Sequence, residues 1–333
     1  MNKILITGAS GFIGSHLVSF LLEDGEKANH LRLLIPEKSS LDLLKKNFDI
    51  VQGDIRNKEL MIRAMKGVNT IYHLAAVSGF GGKTYKDYKE VNVDGTQNLL
   101  DACRGEKIQK FIFFSTVAVY GLPPWIGRIV NWDENSPKNP TEIYGKSKFE
   151  AEKKILQAAA NYKLPYVIIR PASVYGPRDK GQLYGLYRAI KNHYFVKIGN
   201  GKNLMHFLYV KDLVKGARQA QLSTSKAAEY IFAGKKPTEF NNVIKYVAAS
   251  INERIPSFYI PKTMGLMLSQ IMDLAGNIIG IRSPLFPTRV KVMTTSYSYN
   301  IEKARREIGY NPRISFEKGA LLTGKWYLKN KWL

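Results

Sequence analysis

The chain has 333 residues, 45% hydrophobic and 23% charged, which excludes a disordered chain and points to one large mixed domain or two intimately joined ones. A single cysteine, Cys103, excludes an internal disulfide, and five scattered histidines offer no metal-ligand cluster. Fifty Lys and Arg against 27 Asp and Glu leave a net charge of +23; this attracts polyanions in general, but no specific nucleic-acid recognition motif accompanies it, and a phosphate-bearing small molecule suits it equally.

Met1-Asn2-Lys3 leads directly into Ile4-Leu5-Ile6-Thr7-Gly8 without an apolar leader, so a cytoplasmic location is expected. Apolar runs of strand length at 3–7, 31–35, 50–52, 70–74, 111–115 and 166–170 alternate with amphipathic stretches at 14–23, 60–66, 93–104 and 146–162. Buried strands separated by helices predict an α/β fold, a Rossmann-like doubly wound parallel sheet covered on both faces. After Gly176 the pattern loosens, with a helix expected at 183–192 and short strands at 195–198 and 206–210. The apolar stretch 261–281 contains Lys262, Gln270, Asp273 and Asn277, which argues against a spanning helix. It reads either as a buried or groove-lining helix, or as an interfacial helix or lid over an apolar substrate. The tail from Lys325 to Leu333, with Trp326, Tyr327 and Trp332 among lysines, is either a solvated helix end or a membrane-surface contact.

Between the first strand and the first helix stands Thr7-Gly8-Ala9-Ser10-Gly11-Phe12-Ile13-Gly14. Glycines at 8, 11 and 14 let the turn adopt positive φ and let the backbone approach a pyrophosphate, whose charge the helix N-terminus meets. This loop predicts a dinucleotide site, with Gly8, Gly11, Phe12, Ile13 and Gly14 around it. The end of the second strand reads Ile35-Pro36-Glu37-Lys38-Ser39-Ser40. No acid stands at the strand end itself; Lys38, Ser39 and Ser40 suit the 2′-phosphate of NADP, whereas Glu37 suits the ribose hydroxyls of NAD, so NAD or NADP is expected, NADP slightly favoured. The dinucleotide-binding domain is expected over 1–178 with a returning contribution from about 206–233; 179–205 and 234–333 would form a smaller C-terminal substrate-binding region across the strand ends.

Ile143-Tyr144-Gly145-Lys146-Ser147-Lys148 lies just before a strongly helical segment, 149–162, whose helix would reach the motif if it begins near Tyr144. In a helix, Tyr144 and Lys148 lie one turn apart on one face, where an ammonium would stabilise a phenolate and make the tyrosine an acid and base near neutral pH. Upstream, Phe113-Phe114-Ser115-Thr116-Val117 puts hydroxyls at the carboxyl end of a buried strand, where ligands sit in such a sheet, and Thr116 would orient a substrate oxygen toward Tyr144.

The glycine loop, Gly53-Asp54-Ile55, His73-Leu74-Ala75-Ala76, Val91-Asn92-Val93-Asp94-Gly95-Thr96, the 115–121 segment, Tyr144 to Lys148 and Arg170-Pro171-Ala172-Ser173-Val174-Tyr175-Gly176-Pro177-Arg178 occur together and in order. The chain thereby resembles an extended short-chain dehydrogenase/reductase of the NAD-dependent epimerase/dehydratase family, strongly over 3–178 and more loosely over 199–217 and 303–327. The resemblance implies that Asp54 and Ile55 flank the adenine, that Leu74, Ala75, Ala76, Asn92 and Pro171 line the cofactor, and that Lys148 holds the nicotinamide ribose. It further implies hydride transfer at a carbinol or carbonyl carbon, with Thr116, Tyr144 and Lys148 as catalytic residues, and a homodimer through helices near 93–103 and 149–162.

Ser78, Thr116, Ser173 and Arg178 are the candidate substrate contacts. Ser173 stands where nucleotide-sugar members of the family usually carry asparagine, and Met205 where they favour arginine; Arg178, Lys202 and Arg289 could contact phosphate instead. The favoured substrate is a nucleotide sugar. A hydrophobic sterol-like or flavonoid-like substrate of a reductase or dehydrogenase is the alternative. A non-catalytic dinucleotide-binding regulatory protein is a third reading, although such a protein would not need Tyr144 and Lys148.

Overall fold

The computed structural model describes residues 3–37, 47–78, 84–122, 129–255, 259–279 and 287–333. Its main sheet has seven parallel strands: β1 (Lys3–Thr7), β2 (Leu31–Ile35), β3 (Asp49–Gln52), β4 (Val68–His73), β5 (Lys110–Phe114), β6 (Tyr166–Pro171) and β7 (Ala227–Phe232). Their order is β7-β6-β5-β4-β1-β2-β3. The chain runs from β1 to one edge, returns at β4 beside β1, and then builds toward the other edge. Thr7 lies opposite both Leu34 and His73, so the carboxyl ends of β1 and β4 flank the point where strand order reverses, and a ligand crevice opens there.

The sheet forms because its apolar residues alternate between two buried faces. Ile4, Ile6, Leu33, Ile112, Val167 and Ile169 face one layer, whereas Leu5, Leu34, Ile71, Phe111, Phe113 and Ile168 face the other. Helices α1 (Phe12–Glu23), α2 (Lys58–Met65), α3 (Gly95–Ala102), α4 (Ile143–Tyr162), α5 (Gln182–Lys191), α6 (Val210–Leu222), α7 (Phe240–Ser250), α8 (Lys262–Ile279) and α9 (Phe316–Lys329) surround or extend it. Leu17, Leu21, Leu213 and Ala217 bring α1 and α6 onto the first face; Met61, Leu99, Ala151 and Ile155 bring α2, α3 and α4 onto the second. Each fully buried Leu or Ile contributes about 1.5–3 kcal/mol, so the crevice is framed by strands held from both sides.

Within 206–233, residues 227–232 form the edge strand β7 against β6. Glu229 interrupts its apolar pattern and is accommodated by an ion pair with Arg170 of β6. Beyond the sheet, the Tyr187 hydroxyl of α5 donates to the Ala320 carbonyl of α9 at 2.7 Å, and Tyr327 of α9 donates to the Asp179 carbonyl at 2.7 Å. In the tail Lys325, Lys329, Asn330 and Lys331 stay exposed, while the aromatic residues pack to different depths. Tyr327 is fully buried, the Trp332 ring stacks on it at 5.8 Å, and Tyr184 donates to the Trp332 carbonyl at 3.0 Å. Among the described residues no helix is long and apolar enough to cross a membrane, and no group of three or more His, Cys, Asp or Glu side chains could hold a metal ion.

Candidate active site

At the carboxyl end of β1 the chain turns at Gly8, which has φ +70°, and a Cβ there would lie 2.8 Å from the Ala75 amide nitrogen. A Cβ on Gly14 would stand 2.2 Å from the Gly8 carbonyl oxygen. These two glycines are therefore needed for the loop to close on β4 and on itself. Gly11 caps α1 from an exposed position and supplies no side-chain cap. The positive end of α1 thus faces the crevice with backbone alone around it, a cradle suited to a pyrophosphate.

The loop is anchored by a chain of buried hydroxyls and one imidazole. Thr96 Oγ1 donates to the Asn92 carbonyl at 2.6 Å, so it accepts from His73 Nε2 at 2.9 Å. His73 Nδ1 then accepts from Thr7 Oγ1 at 2.8 Å, and Thr7 Oγ1 in turn accepts the amides of Leu74 at 3.2 Å and Ala75 at 3.1 Å. Burial, with the Lys148 charge nearby, holds the His73 pKa well below its ordinary value. The ring is neutral and fixed in one tautomer, tying β1, the post-β4 turn and α3 together. Sequence spacing gave no hint of this role, because Thr7, His73 and Thr96 converge only through strand pairing.

Tyr144 sits in the first turn of α4 and Lys148 one turn later. The adjoining turn begins at Thr116, whose Oγ1 accepts the Ala118 amide at 3.1 Å and keeps its proton for another acceptor. Gly145 brings the two segments together: a Cβ on it would meet the Ala118 carbonyl oxygen at 2.6 Å. Tyr144 keeps part of its surface open, whereas Lys148 is almost wholly enclosed, with Nζ 3.9 Å from the centre of the Phe113 ring. Burial pushes the Lys148 ammonium down to about 7, against the opposing pull of Glu152. Burial, with Tyr88 beside it, pushes the Tyr144 phenol up to about 12. In the cofactor-free chain desolvation thus works against the charged form of each group.

Beneath this pair lies a buried ionic network that spacing also missed. Glu152, one turn beyond Lys148, accepts from Ser115 Oγ at 2.5 Å and from Arg170 Nε at 2.9 Å, while Arg170 Nη2 reaches its other oxygen at 2.8 Å. Arg170 also donates to the Tyr120 hydroxyl at 3.1 Å and pairs with Glu229. Burial works against the guanidinium, but its bonds to Glu152 prevail and keep it charged. The i, i+4 spacing of Lys148 and Glu152 was the available signal; the arginine on a distant strand was not.

Residues 4–230 match the NAD dependent epimerase/dehydratase family. The chain belongs to that family. It is 30% identical over 308 residues to the N-acetyl-alpha-D-glucosaminyl-diphospho-ditrans,octacis-undecaprenol 4-epimerase of Escherichia coli O157:H7, covering 91% of this chain and 88% of that protein. It is 29% identical over 332 residues to the sterol-4-alpha-carboxylate 3-dehydrogenase, decarboxylating, of Mus musculus, covering 95% and 88%. The fold is shared with the crystal structure of UDP-glucuronic acid 4-epimerase from Bacillus cereus in complex with NAD, at a TM-score of 0.78 and 23% identity over 98% of this chain and 99% of that one. This epimerase/dehydratase is an enzyme of an NAD-dependent family, and the glycine cradle above fits that cofactor.

Asn92 spends its amide on Val77, accepting its N–H at 2.7 Å and donating to its carbonyl at 3.0 Å, and on Ser147 Oγ at 2.9 Å. It braces the post-β4 segment against α4 from a buried position. The Asp54 carboxylate is held below its ordinary pKa chiefly by Arg56, 2.8 Å away. Ile55 is buried where its Cγ2 would lie 2.8 Å from a Cβ on Gly95. Leu74, Ala75 and Ala76 line the turn after β4 partly exposed, Ser78 follows them exposed, and Pro171 ends β6 buried. Ser173 lies in hydrogen-bonding contact with Tyr297. Arg178 has φ +71° and its charge reaches His16 of α1, whose Nε2 is 2.8 Å from the Pro177 carbonyl. Arg178 therefore stands beside the first turns of α1. Lys38, Ser39 and Ser40 lie outside the described residues, as does the 79–82 loop; Glu37 is exposed just past the end of β2.

Proposed function

We propose that this protein is an NAD-dependent epimerase acting on a carbinol carbon of a sugar carried on a diphosphate, a nucleotide sugar in the first instance. The observation that carries the reading is the meeting of Thr116, Tyr144 and Lys148 at the carboxyl end of β5, beside a glycine cradle at the strand-order reversal. In this reading Gly8, Gly11, Phe12, Ile13 and Gly14 hold the pyrophosphate, Asp54 and Ile55 border the adenine, and Leu74 to Ala76 and Pro171 border the remainder. Glu37, exposed two residues past the end of β2, supports NAD over NADP by suiting free ribose hydroxyls. Bound NAD supplies a hydride acceptor and donor. Tyr144 takes the hydroxyl proton of the sugar and gives it back, Thr116 aligns that oxygen, and Lys148 orients the nicotinamide ribose. The printed name of the Escherichia coli relative, a diphospho-linked sugar epimerase, supports the class of substrate, as does the basic pair Arg178 and Lys211 around His16.

The smaller region, 179–205 with 234–333, contributes the substrate side in the same proposal, with Ser78, Ser173 and Arg178 as contacts. A cytoplasmic location and a homodimer through the outer faces of α3 and α4 belong to it too. The α4 face exposes Leu156, a contact that light scattering of an Asp substitution there would report. The test of function is to incubate purified protein with UDP-glucose and NAD and resolve the C4 epimers by proton NMR. Epimer formation without net NADH supports the proposal; stoichiometric NADH with no epimer overturns it.

A further inference from the structure

Helix α8 is built inside out for a protein bathed only in water. It seats on the strand Lys197–Ile198 through Gly265, where a Cβ would stand 2.4 Å from Ile198 Cγ2. Its buried face is made of small residues, Gly265, Ser269 and Gly276. Its large side chains point away: Met267 is 62% exposed, Ile271 63% and Leu274 65%, with Met264, Leu268 and Met272 also exposed between them. At about 100° per residue these six cover about 160° of the helix circumference. An amphipathic helix of a soluble surface has the reverse arrangement. An unbroken apolar stripe of this width marks a surface that something apolar covers.

The surroundings identify the occupant by charge. From 254 to 296 the basic residues of the sequence are Arg254, Lys262, Arg282, Arg289 and Lys291, against the single acid Asp273. Tyr259, just before the helix, is 56% exposed, and the Lys197 ammonium lies 5.4 Å from its ring centre. Apolar side chains flanked by cations and an aromatic ring are the composition of a helix lying in the headgroup layer of an anionic bilayer. The helix is also not long and apolar enough to cross one. A net charge of +23 adds long-range attraction to the same surface. We propose that α8 docks this protein flat on an anionic membrane, with Met267, Ile271 and Leu274 inserted among the acyl chains. The proposal concerns location and stands whatever reaction Tyr144 serves.

The test is sedimentation of the full chain with vesicles of mixed phosphatidylglycerol and phosphatidylcholine, wild type against a Met267→Ser, Ile271→Ser, Leu274→Ser variant. These side chains are exposed, so thermal unfolding should match wild type. The expected result is co-sedimentation of the wild type and a loss of partitioning by about tenfold or more in the variant. A second readout is a separate Ile271→Trp variant, whose emission should shift to the blue on adding the vesicles. Three results overturn the proposal: no sedimentation of the wild type, equal sedimentation of the triple variant, or an unshifted emission from the Ile271→Trp variant. Failure to sediment combined with a wild-type oligomer that the triple variant dissociates would assign the stripe to a second copy of the chain instead.

Discussion

Lys148 is the residue where burial and charge conflict most directly. Its ammonium is enclosed beside Phe113 and titrates near 7, against 10.5 for a free lysine. Between those two values the folded protein binds fewer protons than the unfolded chain, so this residue makes stability rise with pH across that window; below about pH 7 the cost of enclosing the charge is fully present. Lys148→Met should therefore stabilise the cofactor-free protein by about 1–4 kcal/mol near pH 6, with the difference shrinking toward pH 10. Urea unfolding at both pH values measures it, and a gap unchanged with pH would refute the assignment. Glu152 presents the opposite case. It is fully buried with Arg170, so Glu152→Gln should cost about 3–5 kcal/mol by leaving the buried guanidinium with only the partly solvated Glu229 as counter-charge. Glu229→Gln should cost about 1 kcal/mol or less, because that carboxylate is partly solvated. Equal unfolding midpoints for the two variants would contradict this ranking.

Two tight junctions between elements carry separable functions. Gly14 lets α1 close over Gly8, and Gly145 lets α4 press on the Thr116 turn. Gly14→Ala is expected to weaken NAD binding by at least about tenfold, since the cradle must open to accept the methyl. Gly145→Ala is expected to lower turnover while binding NAD nearly as well, because it separates Tyr144 from Thr116 without touching the loop. Calorimetry for binding and steady-state turnover distinguish the two. At this scale the sequence was most informative: β1 and β2 run over the residues their apolar runs predicted, and α4 begins where the Tyr-Lys spacing required. What stayed hidden was whatever strand pairing alone creates. His73 and Thr7 meet only because β1 and β4 are neighbours, and Glu229 reads as a surface acid until β7 lies against Arg170. The apolar 262–279 segment misled in another way: its hydrophobicity is real, but small residues occupy the inward face, so composition alone could not say which side was buried.

At the scale of the whole molecule, a doubly wound sheet has its crevice at β1 and β4, helices α5 and α9 are hydrogen-bonded to each other, and an apolar helix stands at the periphery. Family membership supplies the cofactor class, and the geometry sets Tyr144 and Lys148 one turn apart on α4. These parts act together only if the Tyr144 hydroxyl exchanges a proton. The most direct measurement is turnover of UDP-glucose by Tyr144→Phe alongside its NAD affinity, both relative to wild type. The account predicts a fall in turnover of at least about a hundredfold, with NAD affinity within about threefold of wild type. Wild-type turnover in the variant would contradict it.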